Sequence, residues 1–285
     1  MNKINYWLIT ISALICSVFT LTGCSENNKT DSEDLVASRL IYQSKYENGE
    51  RYYAVSGAKN KDIEDIIIPS YHNNMVVKEI APSAFEDYKN LKSIYVASTI
   101  EVVGRNAFNN ARSLRDVTIP PNSEIKEFGL NAFTHTAIKN IFIPSSLQTI
   151  GPFCFDSCHN LNSIDLSSCI NLFEISGWAF RHCTSLQFVH LSPNLKVVGE
   201  SCFADTPNCG YVLMYNQVET IGGGFYKGFI IAGQPGTDIT VLYYGTREEW
   251  ETIEFKGYYH YSLWTYSETY KMQTWHFVNE KPVKW

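Results

Sequence analysis

The sequence predicts a solenoid, a β-rich curved superhelix of short parallel strands stacked turn upon turn, and three observations predict it. First, a small residue followed by Phe recurs at Ala84-Phe85, Ala107-Phe108, Ala132-Phe133, Cys154-Phe155, Ala179-Phe180 and Cys202-Phe203. A degenerate copy stands at Gly224-Phe225, and the successive spacings are 23, 25, 22, 25, 23 and 22 residues. Second, an apolar residue lies five before each Phe (Ile80, Val103, Phe128, Ile150, Ile175, Val198), with Ile221 four before Phe225. Another lies three before that: Val77, Ile100, Ile125, Leu147, Leu172, Leu195 and Val218. Third, Leu-x-x-Ile-x-Ile follows, as in Leu91-Ile94-Val96, Leu114-Val117-Ile119, Leu161-Ile164-Leu166 and Leu186-Val189-Leu191. Self-similarity at a fixed period of this length marks a repeat architecture.

Each part of the unit has a physical reading. In Leu-x-x-Ile-x-Ile the last two apolar residues alternate, so both point inward from a short strand while the residue between them points out. Pro120 and Pro144 end their strands because proline has no amide to give to a ladder. A Gly after the upstream apolar pair (Gly104, Gly129, Gly151, Gly199, Gly222) marks a turn. The small-Phe pair packs a short helical or irregular segment back onto the core. One unit cannot close its own interior, but stacked units share one.

Both ends need caps. Leu40 to Val55 reads as two strands around Asn48-Gly49, a two-residue hairpin signal. Beyond the repeats, Ile239–Tyr244 reads as a last strand, and Thr246 and Glu249 stand at capping-box spacing for a short helix that places Trp250 and Ile253 on one face. The boundaries expected are a leader over 1–23, an acidic tether over 24–38, a hairpin cap over 39–62, about seven repeats over 63–231 and a C-terminal cap module over 232–285.

The repeated residues resemble the BspA-like branch of the leucine-rich repeats, with its Ile-Gly-x-x-Ala-Phe and Leu-x-x-Ile-x-Ile-Pro pattern, over roughly Ile63 to Ile231. The closing segments, Tyr266-Ser-Glu-Thr, Trp275-His-Phe-Val-Asn and Pro282-Val-Lys-Trp285, resemble the C-terminal module often found in that family. The fold class expected is therefore a leucine-rich-repeat solenoid with short helical turns between its strands.

The N-terminus carries export information. Lys3 precedes a 15-residue apolar run, Trp7 to Leu21, diluted by Thr10, Ser12 and Ser17. As a helix it would cover about 22 Å, short of a hydrocarbon core of roughly 30 Å, and so reads as a signal peptide. Leu21-Thr22-Gly23-Cys24 resembles a bacterial lipobox, which makes Cys24 the lipidated residue. More than one acyl chain there would anchor stably where one would not. Loss of Lys3 with the leader takes the formal charge from −6 to −7. Residues 25–34 are acidic and free of large apolar residues, a solvated tether. An acidic chain makes nucleic acid a poor partner.

Of the eight cysteines, Cys16 belongs to the leader. Cys154 and Cys202 occupy the slot that Ala84, Ala107, Ala132 and Ala179 fill elsewhere. Cys158 and Cys183 fall where Ala111, Thr136 and Thr206 sit, and Cys209 falls in the Leu column, while Cys169 lies in an inserted loop. The repeat thus reads five of six remaining cysteines as small buried hydrophobes. A Cys158–Cys183 disulfide between adjacent turns stays open at this level, since about 4.8 Å separates stacked strands. Cys158-His159 and His182-Cys183 suggest zinc in composition, but the two His fall at different places in the repeat, so no metal is expected. There is no H-E-x-x-H, G-x-S-x-G, P-loop or G-x-G-x-x-G. No catalytic residue, cofactor or enzyme activity is expected.

The alternation of the strands picks out exposed columns: Tyr95, Thr118, Phe142, Asp165, His190 and Leu213, and next to it Ser93, Asp116, Asn140, Ser163, Phe188 and Tyr211. Along the expected concave face the composition shifts from polar to aromatic. Phe142, Phe188, His190, Tyr211, Leu213 and Tyr215 are the binding candidates. The family resemblance implies a lipid-anchored, cell-surface binding or adhesion protein whose partners are proteins of a host or neighbouring cell. The alternative is a glycan- or nutrient-capturing surface lipoprotein.

Overall fold

A computed structural model describes residues 39–222, 239–244, 246, 249, 252–255 and 273–277. The leader, Cys24, the acidic tether, the Gly224-Phe225 repeat and most of the C-terminal module lie outside the described residues.

Every turn crosses two strand positions and one corner. The first position is a short strand. These strands are β5 (Met75–Ile80), β7 (Val102–Val103), β9 (Glu127–Phe128), β11 (Thr149–Ile150), β13 (Glu174–Ile175), β15 (Val197–Val198), β17 (Thr220–Ile221) and β19 (Glu254–Phe255). From β5 to β15 they bear the residue five before each Phe, and β17 and β19 continue the series. They pair in parallel, each with the next, so that Ile80, Val103, Phe128, Ile150, Ile175, Val198, Ile221 and Phe255 fall in one column. The second position is the Ile-x-Ile strand. It forms one sheet of β3 (Asp65–Ile67), β6 (Ser93–Tyr95), β8 (Asp116–Thr118) and β10 (Asn140–Ile141). A second sheet holds β12 (Ser163–Asp165), β14 (Phe188–His190), β16 (Tyr211–Tyr215), β18 (Ile239–Tyr244) and β20 (Gln273–Phe277). Pairing stops between β10 and β12, although the Asn162 amide still donates to the Lys139 carbonyl at 3.0 Å. Ile138 enters the Leu slot five residues after Phe133, where Leu114 and Leu161 come six after Phe108 and Phe155, so this turn has one residue fewer before its strand.

The corners differ from expectation. The repeats contain no helical element among the described residues. Each corner is a run of β-turns two residues apart, as in Ala84 N to Ala81 O, Glu86 N to Ser83 O and Tyr88 N to Phe85 O. Two residues per corner are left-handed, two before and two after the Phe: Asn106 and Asn110 (φ 56° and 62°) or Trp178 and His182 (φ 58° and 57°). That geometry turns alternate amides along the stack. Asn106, Phe108 and Asn110 donate to the carbonyls of Leu130, Ala132 and Thr134 in the next turn, at 2.8 Å each. A helix would have consumed those amides internally. The parallel ladder therefore continues round the corner.

The interior is a column of rings. Phe85, Phe108, Phe133, Phe155, Phe180 and Phe203 are buried and stack in order, with centroids 5.4, 5.3, 5.2, 5.3 and 5.3 Å apart and planes within 13°. Inter-strand spacing near 4.8 Å and offset stacking of rings are compatible, so one Phe per turn fills the shared core without a gap. The glycine after the first strand serves close approach. A Cβ on Gly199 would lie 2.4 Å from the Gly177 nitrogen, and one on Gly151 would lie 2.7 Å from Gly129 C.

The cap follows its sequence signal. β1 (Leu40–Glu47) and β2 (Glu50–Ala58) form an antiparallel hairpin around Asn48 and Gly49, both at positive φ (50° and 87°), as a primed two-residue turn requires. β2 then pairs in parallel with β5 and seals the end of the first sheet. The Tyr88 hydroxyl donates to the Ala58 carbonyl and accepts from its amide, at 3.1 and 3.0 Å. Lys45 lies 2.7 Å from the carboxylate of Glu79, beside the Tyr52 hydroxyl, which burial, Glu79 and Glu47 push up to about 12. A second hairpin, β4 (Tyr71–His72) with β5, turns at Asn73-Asn74 (φ 47° and 60°) and was not foreseen, although the Asn-Asn pair between apolar stretches carries the signal. At the far end the Thr246 amide donates to Glu249 at 2.7 Å and the Glu249 amide to the Thr246 hydroxyl at 3.2 Å, the two bonds of a capping box.

Candidate binding surface

The outward residues of the second strand position make one face, in the register expected from alternation. Ser93 lies opposite Asp116 and Asp116 opposite Asn140; farther on, Ser163, Phe188 and Tyr211 align, as do Asp165, His190 and Leu213. The inward residues between them, Ile94, Val117, Ile164, Val189 and Val212, are buried. Two residues were left out of the columns: Asp65 and Ile67, on β3, extend them by one turn, and Ile67 is exposed.

The structure brings five of the six candidates together and leaves one apart. Phe188 and Tyr211 are neighbours across β14 and β16, Tyr211 being 54% exposed. His190 and Leu213 are the next pair on the same two strands, and Tyr215 ends β16. Phe142 is exposed too, but it follows β10, on the other side of the break in pairing, where it shares the face with Tyr95 and Ile67.

His190 is the centre of the late cluster. Its Nδ1 lies 3.4 Å from an Asp165 carboxylate oxygen and its Nε2 lies 2.9 Å from the Tyr215 hydroxyl. The Tyr215 ring stacks on that of Tyr244 at 5.1 Å, opposite it on β18. Burial, then Tyr244, then Asp165 raise the Tyr215 phenol above its ordinary range, so it stays a neutral hydroxyl at physiological pH. The arrangement fixes three polar side chains next to two partly open rings. Asp165 and Tyr244 belong to the cluster although neither was among the candidates. Both were legible, Asp165 as the middle residue of its strand and Tyr244 as the end of the last strand.

The thiols elsewhere are buried and held in the protonated form. Cys154, Cys158, Cys169, Cys183, Cys202 and Cys209 are all free and buried. Cys158 and Cys183 donate to the carbonyls of Phe133 and Phe155, both at 3.1 Å, and are not bonded to each other. Burial pushes the Cys158 thiol up to about 12 and Cys183 well above its usual value, which leaves almost no thiolate. His159 faces the His182 carbonyl at 2.9 Å, and His182 lies between Asp156 and Asp205 at 3.4 and 2.9 Å. Among the described residues no group of three or more such side chains is placed to hold a metal ion, and no helix is long and apolar enough to cross a membrane.

The family pattern described as "BspA type Leucine rich repeat region" matches residues 121–230 in six copies. No curated protein matches the chain. Among solved structures, a leucine-rich repeat protein of T. pallidum is 25% identical over 65% of this chain and 87% of its own, with a TM-score of 0.58. A leucine-rich repeat protein from Bacteroides ovatus is 17% identical over 76% of this chain and 75% of its own (TM-score 0.36). The pneumococcal vaccine antigen PcpA is 11% identical over 77% and 97% (TM-score 0.37). With its repeat register and its stacked corners, this chain is a leucine-rich-repeat solenoid, and its residues 121–230 carry repeats of the BspA type.

Proposed function

We propose that this protein is exported, lipid-anchored through Cys24 and displayed at the bacterial cell surface, where the strand face of its solenoid binds or adheres to a protein partner of a host or neighbouring cell. The observation that carries the reading is the cluster of Phe188, His190, Tyr211, Leu213 and Tyr215 on one face of β14 and β16. Leucine-rich-repeat solenoids act as binding scaffolds, and binding energy concentrates in a few aromatic anchors ringed by polar groups. Here Tyr211 and Phe188 are the anchors, and Asp165, His190 and Tyr215 supply fixed polar contacts.

The experiment is a screen of the mature chain against host matrix proteins and a glycan array, followed by Phe188→Ser, Tyr211→Ser and Tyr215→Ser together. Loss of recognition by a folded triple variant supports the reading, and undiminished binding removes it. The anchor is tested separately. Cys24→Ala should leave a protein without covalent acyl groups that no longer partitions with membrane lipid, and continued acyl-dependent partitioning would contradict it.

A further inference from the structure

The six corners share a left-handed residue two before the Phe, and its identity breaks a rule twice. Ser83, Asn106, Asn131 and Ser201 hold this position in four turns; Phe153 and Trp178 hold it in two, at φ 56° and 58°. Left-handed backbone suits Asn and disfavours bulky side chains. The interior does not require these rings, because Phe155 and Phe180, two residues on, already fill the core of the same turns. Phe153 and Trp178 instead stand half-exposed on the corner ridge, away from the strand face, stacked at 5.1 Å with planes 4° apart. Strain of this kind clusters at functional sites.

The surroundings are built. The Arg181 guanidinium sits 5.2 Å over the Phe153 ring and is fixed by the buried carboxylate of Asp156, Nε to Oδ1 at 2.9 Å and Nη2 to Oδ2 at 3.1 Å. On the other side, the Trp178 amide donates to Glu200 O at 2.8 Å, which places Ser201 as the next residue in the ridge column. One indole face lies on Phe153, and the opposite face looks toward a turn that offers only a serine there. About 4.8 Å separates the turns, room for a single ring layer. Exposed Glu200 and Asp205, with half-exposed Ser201 and His182, border the ridge.

We propose that the Phe153–Trp178 pair is a saccharide subsite that takes one pyranose ring by its C–H face on the outer face of Trp178. An apolar side chain would match the indole but would strip water from the bordering polar groups without replacing its hydrogen bonds. A pyranose has an apolar face and a hydroxyl rim, and so answers both. The subsite is independent of the strand-face reading and stands if that one fails.

The test uses the full mature chain with cellotetraose, triacetylchitotriose and a trigalacturonate as probes, read by titration calorimetry and tryptophan fluorescence, with a Trp-containing tripeptide as the rival probe. At least one saccharide should bind. Trp178→Asn, which installs the residue that Asn131 already supplies at this position, should weaken that binding about tenfold or more with a Tm within a few degrees of the parent. Ser201→Leu should fill the open layer with an aliphatic side chain that offers no ring face, and block binding without removing any packing. The strand-face triple variant should bind the saccharide as the parent does. No saccharide binding, binding that survives both variants, a Tm collapse in Trp178→Asn, or preference for the tripeptide would each overturn the proposal.

Discussion

Two columns of this solenoid lie nine or ten residues apart in every turn and obey opposite rules. The Phe column repeats the same ring six times, each buried and each 5.2–5.4 Å from the next. The outward strand column changes at every turn, from Tyr95 and Thr118 through Asp165 to His190 and Leu213. Inside, a ring must match the rings above and below it, so variation in one turn damages three. Outside, each residue answers to solvent and to its neighbours on the face, and no ring column constrains it. Sameness therefore reports the fold, and the stretch where the outer columns bring Phe188 and Tyr211 beside the Asp165–His190–Tyr215 chain is where the proposed recognition is to be tested.

The largest effect should come from breaking the inner column at its middle. Phe133→Ala should destabilise by roughly 3–5 kcal/mol, because the cavity falls between Phe108 and Phe155 and cannot collapse within a rigid ladder. Equilibrium denaturation measures it, and a midpoint close to the parent's would mean that the ring column is not the core. Next is the triple change at Phe188, Tyr211 and Tyr215. Truncation of such anchors commonly costs about 2 kcal/mol or more each in binding, while the melting temperature should move little. A large fall in stability would place those rings with the inner column.

A smaller effect sharpens the boundary between the columns. Gly199→Ala puts a methyl 2.4 Å from the Gly177 nitrogen, and forcing backbones apart should cost about 1–3 kcal/mol. Thr118→Ala, exposed on β8, should stay within about 0.5 kcal/mol. The smallest expected signal is none at all. Iodoacetamide should leave Cys154, Cys158, Cys169, Cys183, Cys202 and Cys209 unmodified in the native state and label all six after unfolding. Rapid native labelling of Cys158 or Cys183 would show that these turns open readily.

Much of this was legible in the sequence because the solenoid is a one-dimensional object. The period, the strand register, the Asn48-Gly49 hairpin and the Thr246–Glu249 cap each depend on neighbours close in sequence or one period away. The corner backbone was not legible: Asn, Ser, Asp, His, Phe and Trp all serve its left-handed positions, so no residue type announces it, and a short helix was the wrong expectation. The break in pairing between β10 and β12 was not legible either. It separates Phe142 from the other candidates, which a column written on paper could not show.

The ladder that continues round every corner has a mechanical consequence. The inter-turn hydrogen bonds of strands and corners point along the stacking direction, so tension applied at the two chain ends pulls them open lengthwise, and the outermost rung carries the load first. Such a molecule should yield by peeling, in a series of low, similar force peaks, each releasing one turn. With 22–25 residues per turn and at most about 3.5 Å of reach per residue, each event lengthens the chain by roughly 80 Å. A solenoid built this way would lengthen in steps under tension rather than rupture at once.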